Sequence, residues 1–183
     1  MGKLFVISGS SGVGKGTVIK EFLKRNTEFK LSVSCTTRSP REGEIEGKNY
    51  FFISKEEFKK CVENQEFLEW AEFSGNMYGT KRPYVDEKLA LGYNLILEID
   101  TKGALNVKKI MPDATLIFIL PPSFEELEAR LRGRHTETEE AIQKRLESTK
   151  LEMENSKQFD YQVVNDNIEN AVTCLENIMK TNK

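Results

Sequence analysis

The chain has 183 residues, of which 38% are hydrophobic and 31% charged, as expected for one globular domain. Its 27 basic and 29 acidic residues leave a net charge of −2, which gives no electrostatic case for binding nucleic acid or an anionic membrane. No apolar run approaches the ~20 residues of a membrane span, and the spacing of Cys35, Cys61 and Cys174 indicates neither a disulfide framework nor a zinc knuckle. We therefore expect a cytoplasmic protein whose cationic sites are local.

The first predicted element is a strand that runs into a glycine-rich turn. The apolar run Leu4-Phe5-Val6-Ile7 is typical of a strand buried on both faces, and GSSGVGKGT follows it directly. This segment nearly matches the phosphate-binding pattern G-x-x-x-x-G-K-[ST], but Gly16 stands where the pattern has a hydroxyl, and Thr17 comes one place later. Backbone N–H groups and Lys15 are suited to phosphate oxygens. The segment predicts a nucleotide site in which Mg²⁺ is held largely by ATP phosphates and water, with Thr17 nearby.

Residues 31–80 interrupt the alternation of strands and helices and predict a small inserted subdomain. In SVSCTTRSPREGEIEGKNYFF, Arg38 and Arg41 flank Ser39-Pro40, and the proline favours an extended or turned backbone. Two guanidinium groups that close can clamp a dianionic phosphate. Tyr50 and Tyr78 could donate hydroxyls to the same group, although each alone is more often a half-buried aromatic residue.

Glu69 indicates which base the inserted region would accept. In the predicted strand FLEWAEF it shares a face with Phe67 and Ala71, where a buried carboxylate needs a hydrogen-bond donor. Guanine offers two adjacent donors, N1–H and the N2 amino group, whereas adenine presents an acceptor at N1 and has no amine at C2. The position therefore predicts selection of guanine.

A second acidic feature ends the predicted strand Asn94 to Ile99. Alternation along that strand places Glu98 and Asp100 on one side and Leu97 and Ile99 on the other. Ligands of open parallel sheets bind at the carboxyl ends of the strands, so the two acids could orient metal-bound water or a ribose hydroxyl. The alternative, an acidic pair that simply ends a strand in solvent, stays open.

The second half of the chain restores the alternation. Apolar runs at 115–120 and 161–164 predict two more strands, and capping-box spacing predicts helix starts at Ser123 and Thr136. Between them, Gly133 separates two charged helical segments in RLRGRHTETEEAIQKRL, a second insertion. Strand, helix and strand in this order predict an α/β fold with a parallel sheet covered by helices on both faces.

These segments together resemble the guanylate kinases, which phosphorylate GMP from ATP. The likeness includes the P-loop, SVSCTTRSPR, GKNYF, FLEWAEFSGNMYGT, LILEID, GRHTETEEAIQKRL and VVND, and so covers nearly the whole chain. The resemblance implies a single domain with a three-layer P-loop NTPase core, a five-stranded parallel sheet, an inserted mixed α/β GMP-binding subdomain and a helical lid. The implied core comprises residues 1–33, 82–125 and 151–183, the GMP-binding subdomain 34–81 and the lid 126–150.

The resemblance also implies a role for individual positions. ATP would be bound by Gly9, Ser10, Ser11, Gly12, Val13, Gly14, Lys15, Gly16, Thr17, Asn165 and Asp166. GMP would be bound by Ser34, Arg38, Arg41, Tyr50, Glu69, Tyr78, Gly79, Thr80, Glu98 and Asp100. Residues acting on the transferring phosphoryl group would be Lys15, Arg38, Arg130, Arg134 and Arg145, and the metal would be met, through water, by Thr17 and Asp100. Arg132 matches no such position and is expected on a solvated helix face.

The chemistry expected of such a site needs no general base. A GMP phosphate, with a second pKa of ~6, is largely dianionic at neutral pH and can attack ATP without losing a proton, which suits a chain whose only histidine is His135.

The expected partners are ATP and GMP, with dGMP left open, and Mg²⁺ is expected to accompany ATP. No nucleic acid or membrane is expected as a partner, and the expected assembly is a monomer or small homo-oligomer. Alternatives are a kinase for another nucleoside monophosphate and a non-catalytic module that binds phosphorylated peptides. A regulatory GTPase would need an N-K-x-D motif, which is absent.

Overall fold

Five parallel strands form the central sheet of the protein. The computed structural model describes residues 1–133 and 138–182, apart from the side chain of Arg130. The sheet contains β1 (Leu4–Gly9), β2 (Phe29–Leu31), β7 (Asn94–Glu98), β8 (Thr115–Leu120) and β9 (Tyr161–Val164), in the order β2-β7-β1-β8-β9. Every neighbouring pair is parallel. The predicted α/β class with a five-stranded parallel sheet is confirmed.

Helices cover both faces of this sheet, and β1 supplies side chains to both layers. Phe5 and Ile7 lie in a core with buried side chains of α1 (Lys15–Arg25) and α7 (Ile168–Thr181). Leu4 and Val6 lie in a second core with α3 (Arg82–Ala90) and α4 (Thr101–Ile110). This arrangement is the predicted three-layer core. No helix in the described ranges has both the length and the apolarity needed to cross a membrane.

A separate four-stranded sheet precedes α3. It contains β3 (Cys35–Thr36), β4 (Phe51–Phe52), β5 (Phe67–Phe73) and β6 (Asn76–Lys81) in the order β4-β3-β6-β5, with β3 and β4 parallel and the other pairs antiparallel. The helix α2 (Lys55–Glu63) packs on it through Phe58, which stacks on Phe67 and contacts Trp70 edge-on. The prediction that Phe67 and Glu69 share a face is wrong, because an irregularity in the β5–β6 register between them breaks the alternation.

Two helices connect β8 to β9 through a small core of their own. Leu127 and Leu131 of α5 (Phe124–Arg132) pack against Ile142 and Leu146 of α6 (Glu139–Asn155), and a short 3₁₀ turn (Ser156–Gln158) leads to β9. As predicted, the hydroxyl of Ser123 caps α5.

The predicted start of α6 at Thr136 is wrong by two residues. The N-cap is Thr138, whose hydroxyl accepts a hydrogen bond from the backbone N–H of Ala141 at 3.3 Å. Glu139 and Glu140 in the first turn then complement the helix dipole. Thr136 itself, together with Arg134 and His135, lies outside the described residues.

Candidate active site

The candidate site lies where the carboxyl ends of the parallel strands meet. A cavity of about 300 Å³ is lined by residues 9–12 and 14–17 of the loop and by Glu98, and a cleft of about 420 Å³ lies over the second sheet. Glu98, the last residue of β7, lines both spaces. The structure thus places the predicted donor and acceptor sites next to each other, at the edge of the sheet where ligands of open α/β folds bind.

The phosphate-binding loop depends on a close backbone contact at Gly14. This residue has φ 88° and is the N-cap of α1. The buried side chain of Asn165 donates from Nδ2 to the carbonyl of Val13 at 2.7 Å, and a Cβ on Gly14 would lie 2.9 Å from the same nitrogen. Asn165, which the resemblance assigns to ATP, therefore also fixes the loop. A side chain at Gly14 would be disfavoured both by the backbone conformation and by this contact.

We predict that Gly14→Ala lowers the free energy of unfolding by about 1–3 kcal/mol, because alanine must enter the left-handed region and displace Asn165. Gly16→Ala is the matched control, since φ at Gly16 is ordinary and its nearest non-local atom lies 3.6 Å from a built Cβ. Its effect should stay within about 0.5 kcal/mol. Urea unfolding of both variants provides the measurement, and equal losses would contradict this account of the loop.

Lys15 lies between the two spaces. Its Nζ donates to the carbonyl of Ile99 at 3.3 Å. Burial lowers the pKa of Lys15, while the nearby carboxylates of Glu98, Glu152 and Asp100 act in the opposite direction. The ammonium group thus sits among acidic side chains at the place where the phosphates of two nucleotides would meet.

Glu152 is a residue that sequence reasoning missed. It belongs to α6, and burial raises its pKa, an effect that the proximity of Ser10 and Lys15 partly offsets. A signal was present, because Glu152 follows Arg145 by seven residues, about two helical turns, which puts both on one face of α6. Arg145 is itself close to the loop, with Nη1 3.3 Å from the hydroxyl of Ser11.

Two of the other predicted lid arginines cannot be placed. Arg134 and the side chain of Arg130 lie outside the described residues. Arg132, expected on a solvated helix face, has a side chain that is 39% exposed and forms ion pairs with Glu128 of its own helix and Glu139 of α6. It joins the two helices and does not contact the loop residues that the structure describes.

Glu69 lies at the inner end of the cleft in a short hydrogen-bond chain. Its Oε1 accepts from the hydroxyl of Thr80 at 2.8 Å, and the hydroxyl of Ser34 lies 3.0 Å from that of Thr80. Burial raises the pKa of Glu69 to about 7, the Thr80 hydrogen bond opposes the rise, and the negative charge of Asp100 adds to it. The second carboxylate oxygen, Oε2, lies near Gly103 of α4. Glu69, Thr80 and Ser34, all predicted to bind GMP, are therefore brought together.

The raised pKa has a consequence for stability. Because the folded pKa of Glu69 is about 7 and the ordinary value 4.5, the folded state binds the proton more tightly, and stability is lost as pH rises between these values. Glu69→Gln removes that loss. We predict that the stability advantage of the variant over the parent grows by about 2 kcal/mol between pH 5.5 and 8.5 in urea unfolding without nucleotide.

The control for this prediction is Glu72→Gln, an exposed carboxylate on the same strand for which no such dependence is expected. An advantage of Glu69→Gln that is constant across this pH range would show that the carboxylate is not buried as described.

Predicted phosphate ligands gather at the other end of the cleft. The guanidinium carbon of Arg38 lies 5.5 Å from the centre of the Tyr50 ring, and the rings of Tyr50 and Tyr78 meet edge-to-face at 6.0 Å. Arg38 also forms a two-point ion pair with Glu44, a residue that sequence reasoning did not single out. Arg41 is exposed beside them, and its backbone N–H donates to Glu44 at 2.7 Å.

The two acids at the end of β7 lie on one side, as predicted, although the strand ends one residue earlier than predicted. The strand ends at Glu98, and Asp100 is the N-cap of α4, where its Oδ1 accepts from the N–H of Gly103 at 2.6 Å. Glu98 and Asp100 both line the cleft, while Leu97 and Ile99 both pack in the core formed with α3 and α4, as the predicted alternation requires. Capping the helix fixes one oxygen of Asp100.

These oxygens suit a magnesium ion that arrives with its nucleotide. Thr17, Glu98 and Asp100 offer exposed hydroxyl and carboxylate oxygens, which are the ligands Mg²⁺ prefers. Within the described residues, however, no group of three or more His, Cys, Asp or Glu side chains could hold a metal ion alone. The side chains therefore fit a metal whose remaining ligands are phosphate oxygens and water.

Comparison with known proteins identifies the family of the chain. The family described as Guanylate kinase matches residues 1–182. The curated guanylate kinase of Synechococcus elongatus is 51% identical over 176 residues, 96% of each chain, and that of Trichodesmium erythraeum is 51% identical over 178 residues, 97% of this chain and 96% of that one.

Solved structures extend the comparison to the fold. The crystal structure of guanylate kinase from Anaplasma phagocytophilum matches with a TM-score of 0.76 and 34% identity, covering 98% of this chain and 85% of that one. A shikimate kinase from Bacteroides thetaiotaomicron, 15% identical with a TM-score of 0.54 over 97% and 98% of the two chains, shares the fold alone. The chain belongs to the guanylate kinase family.

Proposed function

We propose that this chain transfers the γ-phosphoryl group of ATP to GMP, forming ADP and GDP. The observation that carries the proposal is a buried carboxylate, Glu69, at the end of a cleft that adjoins a phosphate-binding loop through Glu98. The family relationship, at about half identity over nearly the full length, supports the same reaction. We also propose that the enzyme acts in purine nucleotide metabolism and recycles GMP in the cytoplasm.

The choice of base follows from the hydrogen-bond donors that the Glu69 carboxylate can still accept. Oε1 already accepts from Thr80, and the carboxylate still has lone pairs for two more donors. Guanine supplies N1–H and the N2 amino group on one edge, and both would favour the ionised carboxylate. Adenine supplies an acceptor there, which would leave the carboxylate without those two donors, at a penalty of about 1–3 kcal/mol or more. Ser34 completes the contact through Thr80.

Transfer then requires alignment and charge neutralisation. An oxygen of the dianionic GMP phosphate forms a bond to the γ-phosphorus while the bond from that phosphorus to the bridging oxygen breaks, and the electron pair leaves with ADP. No proton has to be removed. Arg38, Arg41, Tyr50 and Tyr78 would hold the acceptor phosphate, while Lys15 and the loop N–H groups hold the donor's phosphates. Arg145, which already reaches Ser11, would join them with Arg130 and Arg134.

Magnesium fits this scheme as part of the donor. Thr17 and Asp100 would hold it through water, and when bound it neutralises charge on the β- and γ-phosphates.

We also propose the division into a core, a GMP-binding subdomain at 34–81 and a lid at 126–150. It is supported by the separate sheet of β3 to β6 and by the separate small core of α5 and α6. Closure of both parts over bound nucleotides would exclude water from the phosphoryl group.

We predict that ADP release, measured in a coupled assay with GMP, dGMP, AMP, CMP and UMP, is far faster with GMP than with AMP, CMP or UMP. Lys15→Ala should lower kcat by about 10²–10³, because a cation aimed at the transferring group is lost. Glu69→Ala should lower kcat/KM for GMP by about 10²-fold or more and narrow the preference over AMP. Glu72→Ala, a carboxylate on the same strand but outside the cleft lining, is the matched control and should behave like the parent.

Two outcomes would contradict the proposal in different ways. Equal use of AMP and GMP by the parent would identify a kinase for another monophosphate and remove Glu69 from base selection. An absence of ADP release with every acceptor, combined with binding of a phosphorylated peptide through Arg38 and Arg41, would identify the non-catalytic module.

A further inference from the structure

The polar loop between β3 and β4 is organised by one carboxylate. Glu44 accepts from Arg38 twice, with Oε2 3.0 Å from Nη1 and Oε1 2.8 Å from Nη2. Oε2 also accepts from the backbone N–H of Arg41 at 2.7 Å. The side chains of Arg38 and Glu44 are only 15% and 18% exposed. A single side chain therefore fixes the guanidinium of Arg38 and the backbone of Arg41, the two arginines expected to bind the phosphate of GMP.

The hydrogen bonds of Arg38 show which part of its guanidinium is left for a ligand. Nη1 uses one hydrogen on Glu44 and a second on the carbonyl of Ser39 at 2.7 Å. Nη2 uses one hydrogen on Glu44. The remaining N–H groups, one on Nη2 and one on Nε, lie along one edge of the planar group and form a second two-point donor. The hydroxyl of Tyr78, a residue of the cleft lining, interacts with this same guanidinium, so that the Nε/Nη2 edge lies beside a hydroxyl that is also predicted to bind the phosphate.

We propose that Glu44 is a positioning residue for the acceptor's phosphate. It occupies the Nη1/Nη2 end of Arg38, so that the Nε/Nη2 edge is presented to a phosphate monoester, and it holds the Arg41 backbone next to it. The inference rests on the proposed function and deepens it, because it names a residue outside the predicted phosphate ligands and assigns the edge of Arg38 that binds.

Charge and geometry make opposite predictions at this position, which makes the proposal testable. A carboxylate beside a phosphate site repels the incoming dianion, so its removal would tighten binding if charge alone mattered. A carboxylate that orients a guanidinium lowers the entropy lost on binding, so its removal weakens binding. The Arg38 fork and the Arg41 N–H hold the pKa of Glu44 down at about 2, so Glu44 stays ionised wherever the GMP phosphate is a dianion.

The test compares ligands with and without a phosphate. Titration calorimetry of Glu44→Gln with GMP should give a Kd raised by about tenfold or more, while guanosine, measured by competition, should bind within about twofold of the parent. Glu44→Asp keeps the charge but is too short to span both arginines, and it should raise the Kd of GMP in the same direction. Glu46→Gln is the matched control. Glu46 lies in the same loop, and its carboxylate accepts from the backbone N–H of Phe52 in β4.

A double-mutant cycle separates positioning from general damage. In an Arg38→Ala background, Glu44→Gln should change the Kd of GMP by less than about twofold, because the group it positions is gone. Tighter or unchanged GMP binding by Glu44→Gln would overturn the proposal, as would an equal loss of guanosine affinity. A parent chain that prefers AMP would contradict the proposed function instead, since the Glu44 proposal concerns the phosphate and not the base.

Discussion

A largely buried carboxylate that lacks the donors of its ligand is the constraint on which the site depends. Glu69 accepts hydrogen bonds from the hydroxyl and the backbone of Thr80, yet burial still raises its pKa to about 7. Such a group is unfavourable in the empty protein once it ionises, and a ligand with two adjacent N–H donors relieves it. Guanine has that edge. The fold holds this carboxylate at a fixed distance from a phosphate-binding turn. The two sheets and the helix α4 provide that framework.

The protein is acidic overall but binds two polyanionic substrates, and each cation of the site has carboxylates near it. Lys15 lies near Glu98, Glu152 and Asp100, and Arg38 is paired with Glu44. Cations held this way keep fixed positions without their ligands, which lowers the reorganisation needed when phosphates bind. The consequence is that the net charge of −2 carries no information about the ligands, whereas the arrangement of a few side chains does.

Much of this arrangement could be predicted from the sequence, and the failures have physical causes. The apolar runs of β1, β7, β8 and β9 and the glycine turn were readable because strands buried on both faces and helix starts leave local signatures. Two local features could not be predicted from the sequence. The register irregularity beside Glu69 depends on pairing with β6, and the end of the strand before Ile99 depends on the capping of α4 by Asp100. Glu44 was missed because it acts through other residues, and only the folded chain shows which residues those are.

The most direct test of the central claim is the pKa of the Glu69 side chain, measured by NMR with and without ligand. Free protein should give a value near 7, and GMP should lower it well below the ordinary 4.5, because two donors would then stabilise the ionised form. Inosine monophosphate, which lacks the N2 amine, should lower it less, and AMP should leave it nearly unchanged. A pKa that does not move with GMP, or that moves equally with AMP, would contradict the assignment of Glu69 to guanine.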